Sequence, residues 1–258
     1  KRRRALKHRV VRPAGEPPRV EFEVFEPKAE KDVAAGTVTR AKATCVACGA
    51  VLPPQRVRAQ LAAERGGADV IFDAKGRRTG RARMLAVVTL RPGEKGRHYR
   101  LPTERDYAAV RKAQEQLAAI IGEWERGGKQ GLCPVPNEPL RRVPVPFGVI
   151  NVWVYGIDSW HKLFNARQLL SILTLVKQSQ RIANSPLTAT LFAFAINKVA
   201  MQGSATCRWK ASGESLVDTF GRQTLPMVWD YAEANVFGGS TGDFVEALSR
   251  TCDVIAYL

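Results

Sequence analysis

The chain carries no short signature that names a catalytic chemistry. It has no Ser/His/Asp arrangement and no pair of carboxylates at a suggestive spacing. Nucleophilic acyl transfer and two-carboxylate acid–base work are therefore left without a candidate. It has no Gly-x-Gly-x-x-Gly and no Pro-Pro-aromatic tetrapeptide, and Phe237-Gly-Gly-Ser-Thr-Gly242 lacks the Gly-Lys-Ser/Thr ending of a phosphate loop. That stretch reads as a helix-breaking loop, with a substrate-contacting loop as the alternative. No apolar run spans a bilayer: the best, Leu187 to Met201, is broken by Thr188, Thr190, Asn197 and Lys198. Nothing near Lys1 resembles a signal peptide. The five cysteines form no even, spaced framework, which argues for a reducing compartment and a cytoplasmic protein without a membrane partner. Lys1 opens the chain and residues 253–258 still read as helix, so both ends read as cut.

What is present is one close cysteine pair. Cys45-Val-Ala-Cys48-Gly49 makes a turn that brings two thiolates to one side, with glycine taking the positive φ. A structural zinc needs four ligands, and Cys133, Cys207 and Cys252 form no second pair. The expectation is half of a zinc site on Cys45 and Cys48. Its other pair would lie upstream of Lys1, since ribbon pairs are separated by roughly 15–20 residues or more. His8 and His98 are the substitutes available in the chain, and two ordinary buried cysteines at a turn are the bland alternative. A thioredoxin-like pair fits less well, because no βαβ pattern places Cys45 at a helix start.

The net charge of +16 is unevenly placed. Residues 1–142 carry 31 Lys/Arg and 16 Asp/Glu, whereas residues 143–258 carry nine and eight. Such one-sided excess is the footprint of a polyanion partner, with a solvated surface as the plain alternative. Arg2, Arg3, Arg4 and Lys7, together with Arg77, Arg78, Arg81 and Arg83, are the expected phosphate contacts, positioning DNA without reading bases.

The pattern reads as α+β: a basic zinc-ribbon-like β module (1–101), a helix (102–132), a proline-rich connection (133–148) and a mainly helical region (149–258). Arg19 to Glu26 alternates as a half-buried strand, with Val20, Phe22 and Val24 on one face. Thr37 to Thr44 leads as a strand into the cysteines, Gln55 to Arg65 is a short helix, and Met84 to Leu90 reads as a buried strand. Thr103 and Asp106 open a helix whose Tyr107, Val110, Leu117, Ile120, Ile121 and Trp124 share a face. Prolines 134, 136, 139 and 144 mark an extended connection with few apolar anchors. Val149 to Tyr155 suggests a strand. Asn165 caps one helix, and Ser185-Pro186 opens a second that pairs with it. Pro226 to Ala234 reads as helical, with Asp230 and Glu233 as surface carboxylates. A last helix starts at Asp243, with Phe244, Leu248, Cys252 and Ile255 in one stripe. Trp153, Tyr155, Trp160 and Phe164 read as a core cluster, with base stacking as the minor alternative.

Four stretches carry a resemblance: Ala43-Thr-Cys-Val-Ala-Cys-Gly-Ala50, Tyr99-Arg-Leu-Pro-Thr-Glu104, Tyr155 to Leu170, and Thr219-Phe-Gly-Arg-Gln-Thr-Leu-Pro-Met-Val-Trp-Asp-Tyr-Ala-Glu-Ala-Asn235. In this order they resemble the large bacterial and archaeal adenine-specific DNA methyltransferases that carry an inserted zinc-ribbon module, and the last two stretches are the specific ones. The resemblance implies a split Rossmann-like core, with the S-adenosylmethionine motif upstream of the ribbon and the Asp-Pro-Pro-Tyr motif downstream of Phe220-Gly-Arg-Gln223. It also implies methyl transfer to adenine N6 of a flipped base in DNA. Some members belong to phage-defence gene sets, which implies phage-defence proteins as further partners. Both chemical motifs lie outside this chain, so it is expected to be the middle of such an enzyme and inactive alone. The resemblance assigns no role to Arg222, Gln223 or Asp230. A non-enzymatic zinc-ribbon nucleic-acid binder and a helical docking module over residues 158–258 stay open beside it.

Overall fold

The computed structural model describes residues 4–142, 152–221 and 224–257. Over these the chain is α+β, with five α-helices and small antiparallel sheets. No helix among the described residues is long and apolar enough to cross a membrane. The chain forms two compact units, one of residues 1–63 and 82–108, the other of residues 64–81 and 109–258.

The first unit is built from hairpins. β1 (Ala5–Val11) pairs antiparallel with β2 (Arg19–Phe25) over its whole length. The register sets Leu6, His8 and Val10 opposite Val24, Phe22 and Val20 on one face. The other face sets Lys7 and Arg9 opposite Glu23 and Glu21. Side chains alternate along strands, so one apolar stripe and one charged stripe result. The alternation read for residues 19–26 is therefore present. Its partner β1 lies in a stretch that local pattern reads only as a basic run. β3 (Val38–Thr39), β4 (Lys42–Thr44) and β5 (Val51–Leu52) form a three-stranded sheet, followed by α1 (Pro54–Glu64). A further hairpin joins β6 (Val87–Thr89) to β7 (His98–Arg100). The strand expected over Met84 to Leu90 is thus shorter, and Val88 is exposed. Among the described residues of this unit only Ala41 and Val57 are buried apolar side chains.

The second unit holds the cores. β8 (Val70–Phe72) pairs with β9 (Arg78–Arg81). α2 (Glu104–Arg126) turns Val110, Ala113 and Leu117 inward, as its 3.6-residue period requires. α3 (Ala166–Ile182) begins at Asn165, whose side chain accepts from the Gln168 N–H while the Gln168 side chain accepts from the Asn165 N–H. α4 (Pro186–Gln202) begins at Ser185 with proline in its first turn. α5 (Phe244–Ala256) is capped by Asp243. One cluster joins Ala113, Leu117, Val135, Ala166 and Leu169, and a second joins Leu140, Val152, Ile157, Leu163 and Leu225. A third sits between α3 and α4 on Leu175, Ile196 and Val199. Residues 133–142 of the proline-rich stretch belong to no helix or strand and are anchored by Val135 and Leu140 rather than poor in anchors, while residues 143–148 lie outside the described residues. The backbone of this stretch receives Trp160 and His161 N–H groups at Glu138 and Pro136.

Two further expectations are corrected. Residues 152–155 form a 3-10 turn rather than a strand, while residues 149–151 lie outside the described residues. Pro226 to Ala234 is not helical, because Ala232 N–H bonds to the Cys207 carbonyl and Tyr231 bridges to Arg208. Tertiary partners there satisfy backbone groups that a helix would have paired internally. The last helix is present with Phe244, Leu248, Cys252 and Ile255 along it; Phe244 packs on the third cluster, and Cys252 and Ile255 are exposed.

Candidate metal centre and nucleic-acid interface

Cys45 and Cys48 lie in the connection between β4 and β5. The Cys45 N–H bonds to the Ala50 carbonyl at 2.8 Å, closing the hairpin, and the Gly49 N–H bonds back to the Cys45 carbonyl at 2.8 Å. Gly49 has φ +75, which only glycine adopts without strain. The turn points the Ala47 and Cys48 N–H groups at the Cys45 sulfur, and the Cys48 thiol also bonds to it. These donors hold the Cys45 thiol below its ordinary value, the Ala47 N–H contributing most. Cys45 is half-buried and Cys48 exposed. Two sulfurs on one side of a tight turn, with N–H groups aimed at one of them, suit a metal that prefers thiolate. Among the described residues no three His, Cys, Asp or Glu side chains come together around a metal position. His8 stands against the Phe22 ring and His98 against Glu94.

The expected phosphate contacts sort differently. Arg2 and Arg3 lie outside the described residues. Arg4 pairs with Glu26, and Lys7 with Glu23 at 3.1 Å, across β1 and β2. Arg77 pairs with Asp73 at 2.8 Å, while Arg78 is exposed. Arg83 lies over the Phe22 ring at 4.6 Å and donates to the Val20 carbonyl. Arg81 is the correction: its side chain is 2% exposed, and it donates to the Tyr155 carbonyl at 2.7 Å. Its Nε sits 3.9 Å from the Glu64 carboxylate. A guanidinium so placed faces protein dipoles, not a phosphate. The glutamates opposite β1 could have been read from the sequence only if β1 had been recognised as a strand.

A polar network missed by sequence reasoning surrounds the start of α3. The Asn165 Nδ2 donates to Glu233 at 2.7 Å and to the Tyr231 hydroxyl at 3.3 Å. Arg167 donates to the same Glu233 oxygen at 2.7 Å. The Tyr231 hydroxyl donates to the Ala68 carbonyl, and Asp69 accepts the Ala166 N–H. Burial pushes the Tyr231 hydroxyl well above its usual range, helped by the Glu233 charge. Burial also raises Asp69, against the N–H groups bonded to it. Glu233 is therefore not a surface carboxylate. The aromatic cluster is dispersed as well: Tyr155 meets Trp229 edge-on at 5.5 Å, Trp153 carries Arg142 on its face, and Trp160 is exposed. The 237–242 loop breaks the chain before α5. Its Gly239 N–H bonds to Asp243, and a Cβ at Gly242 would lie 2.4 Å from that of Ala234. Comparison of the chain with protein-family models, with curated proteins and with solved structures finds no match.

Proposed function

We propose that this chain is an interior part of an S-adenosylmethionine-dependent DNA adenine-N6 methyltransferase, contributing a zinc ribbon, DNA contacts and helices that pack on a split Rossmann-like core. The observation that carries this reading is the network just described. The two stretches on which the resemblance is most specific, 155–170 and 219–235, supply its Asn165 and Arg167 on one side and its Tyr231 and Glu233 on the other. Residues that resemble a family in two separate places, and bond to each other in the fold, support a shared scaffold. The methyl donor would bind outside these residues, and phage-defence proteins are the further partners in a cytoplasmic setting.

The knuckle supports the ribbon. Its two thiols fit zinc, and Cys45 and Cys48 would hold the ion in a structural site. Zinc there would supply folding free energy to a unit with few buried apolar side chains. The test is transfer of labelled methyl from S-adenosylmethionine to adenine in DNA by the intact gene product. Folded, zinc-loaded protein that labels no adenine N6 overturns the reading.

A second reading is a non-enzymatic zinc-ribbon nucleic-acid binder. It is favoured by the charge of the first unit, whose residues 1–63 and 82–108 hold 20 Lys/Arg and nine Asp/Glu. Filter binding to duplex DNA across a salt series reads the phosphate contacts, since log affinity falls with log salt in proportion to their number. A flat slope counts against DNA contacts in either reading.

A further inference from the structure

We infer that Arg12 is a positioning residue of the knuckle, acting on the Cys45 sulfur through a single peptide group; the inference rests on the zinc-ribbon reading of Cys45 and Cys48. Arg12 follows the last residue of β1 and donates from its guanidinium to the Ala47 carbonyl, 35 residues away. That carbonyl and the Cys48 N–H belong to the same peptide group. The peptide is trans, so the two point in opposite directions. Arg12 holds one end, and the other end donates to the Cys45 sulfur. A cation on the carbonyl polarises the peptide and strengthens its N–H as a donor. The seven-residue pairing of β1 with β2 fixes the point from which Arg12 reaches over.

Charge points the same way. Arg4, Lys7 and Arg9 on this hairpin are matched by Glu26, Glu23 and Glu21. Among the described residues Arg12 has no carboxylate partner. An unmatched cation beside two sulfurs suits the negative charge of a metal–thiolate centre, whose outer partners orient and tune its ligands.

Cadmium, a thiolate-seeking stand-in for zinc, tests this on the intact gene product, whose longer polypeptide supplies the second ligand pair. Binding is read by the thiolate-to-cadmium absorption band and by competition with a chelator. Arg12→Met is expected to weaken cadmium binding about tenfold and to shift the band, which loss of fold stability alone would not do. Arg12→Lys is expected to recover part of both, and Arg9→Met to behave as the unchanged protein. Should Arg12→Met fail to fold, Arg12→Gln, which keeps a donor without the charge, serves in its place. Unchanged affinity and band in a folded Arg12 variant overturn the inference and leave the ribbon reading standing. No cadmium uptake by the unchanged protein, or equal uptake by Cys48→Ser, overturns the ribbon reading and the inference with it.

Discussion

Glu233 accepts the side-chain amide of Asn165 at 2.7 Å across 68 residues of chain, and this bond ties the irregular segment before α5 to the start of α3. Asn165 also caps α3 through its carbonyl oxygen, so one side chain fixes a helix start and a distant segment together. Asparagine can do both because its amide is donor and acceptor at once.

Replacing Glu233 with alanine removes the acceptor shared by Asn165 and Arg167 and leaves both donors short of a partner. The side chains of Arg167 and Glu233 keep 29% and 21% of their exposure, so water softens the loss. The expected cost is about 2 kcal/mol, below that of breaking a fully buried pair. Denaturant unfolding checks it, and Glu233→Gln, which keeps an acceptor, is expected to lose less.

Tyr231→Phe deletes the hydroxyl that donates to Ala68 and accepts from Asn165, at an expected cost of about 1 kcal/mol near neutral pH. The pH dependence has a defined sign. Burial raises the folded-state value above the ordinary 10.0, so the folded state keeps a proton that the unfolded state gives up. Stability is therefore complete below about pH 10 and falls as pH rises above it. The phenylalanine variant should show a shallower alkaline decline in thermal melts.

Asp106 behaves oppositely. Arg100 and the Thr103 N–H and hydroxyl bond to it and hold its carboxyl well below the usual carboxylate range. This contribution is present above the ordinary carboxylate value of 3.8 and is lost as pH falls below it. Asp106→Ala should cost about 1 kcal/mol at pH 7 through the lost cap of α2, and the difference from the unchanged protein should shrink in acid.

Cys45→Ser removes the sulfur on which the N–H donors converge. Zinc bound by the longer polypeptide should be released and the unit of residues 1–63 and 82–108 loosened, because ligand binding and folding of such a unit are linked. Elemental analysis reads the first effect and amide exchange the second. Unchanged metal content counts against the ribbon.

Several elements were legible because their signals are local. Asn165, Ser185-Pro186 and Asp243 announce helix starts within three residues of themselves, and α2 shows its apolar face in a single window. The knuckle was legible for the same reason, since Cys45, Cys48 and Gly49 define one turn. β1 was not. Its basic residues look like a solvated run until Glu21, Glu23 and Glu26 stand across from them, and nothing in Ala5–Val11 specifies that register alone. The segment over Pro226–Ala234 misled because its composition suits a helix while its partners lie in other parts of the chain.

Arg81 shows the same division at one residue. Sequence places it among four arginines of one short stretch, and composition gives no reason to separate them. Only the β8–β9 pairing, and the approach of the Tyr155 carbonyl, put its side chain inside while Arg78 stays in water.

By itself the amino-acid order determined the caps, the helical periods, the cysteine turn and the excess of positive charge, because each depends on neighbours within a few residues. Which cations are matched, which carboxylate is buried and what the cysteine turn is tied to were decided by the tertiary structure. Those properties belong to pairs of groups far apart in the chain, and a pair acquires its energy only when folding removes the water between its members.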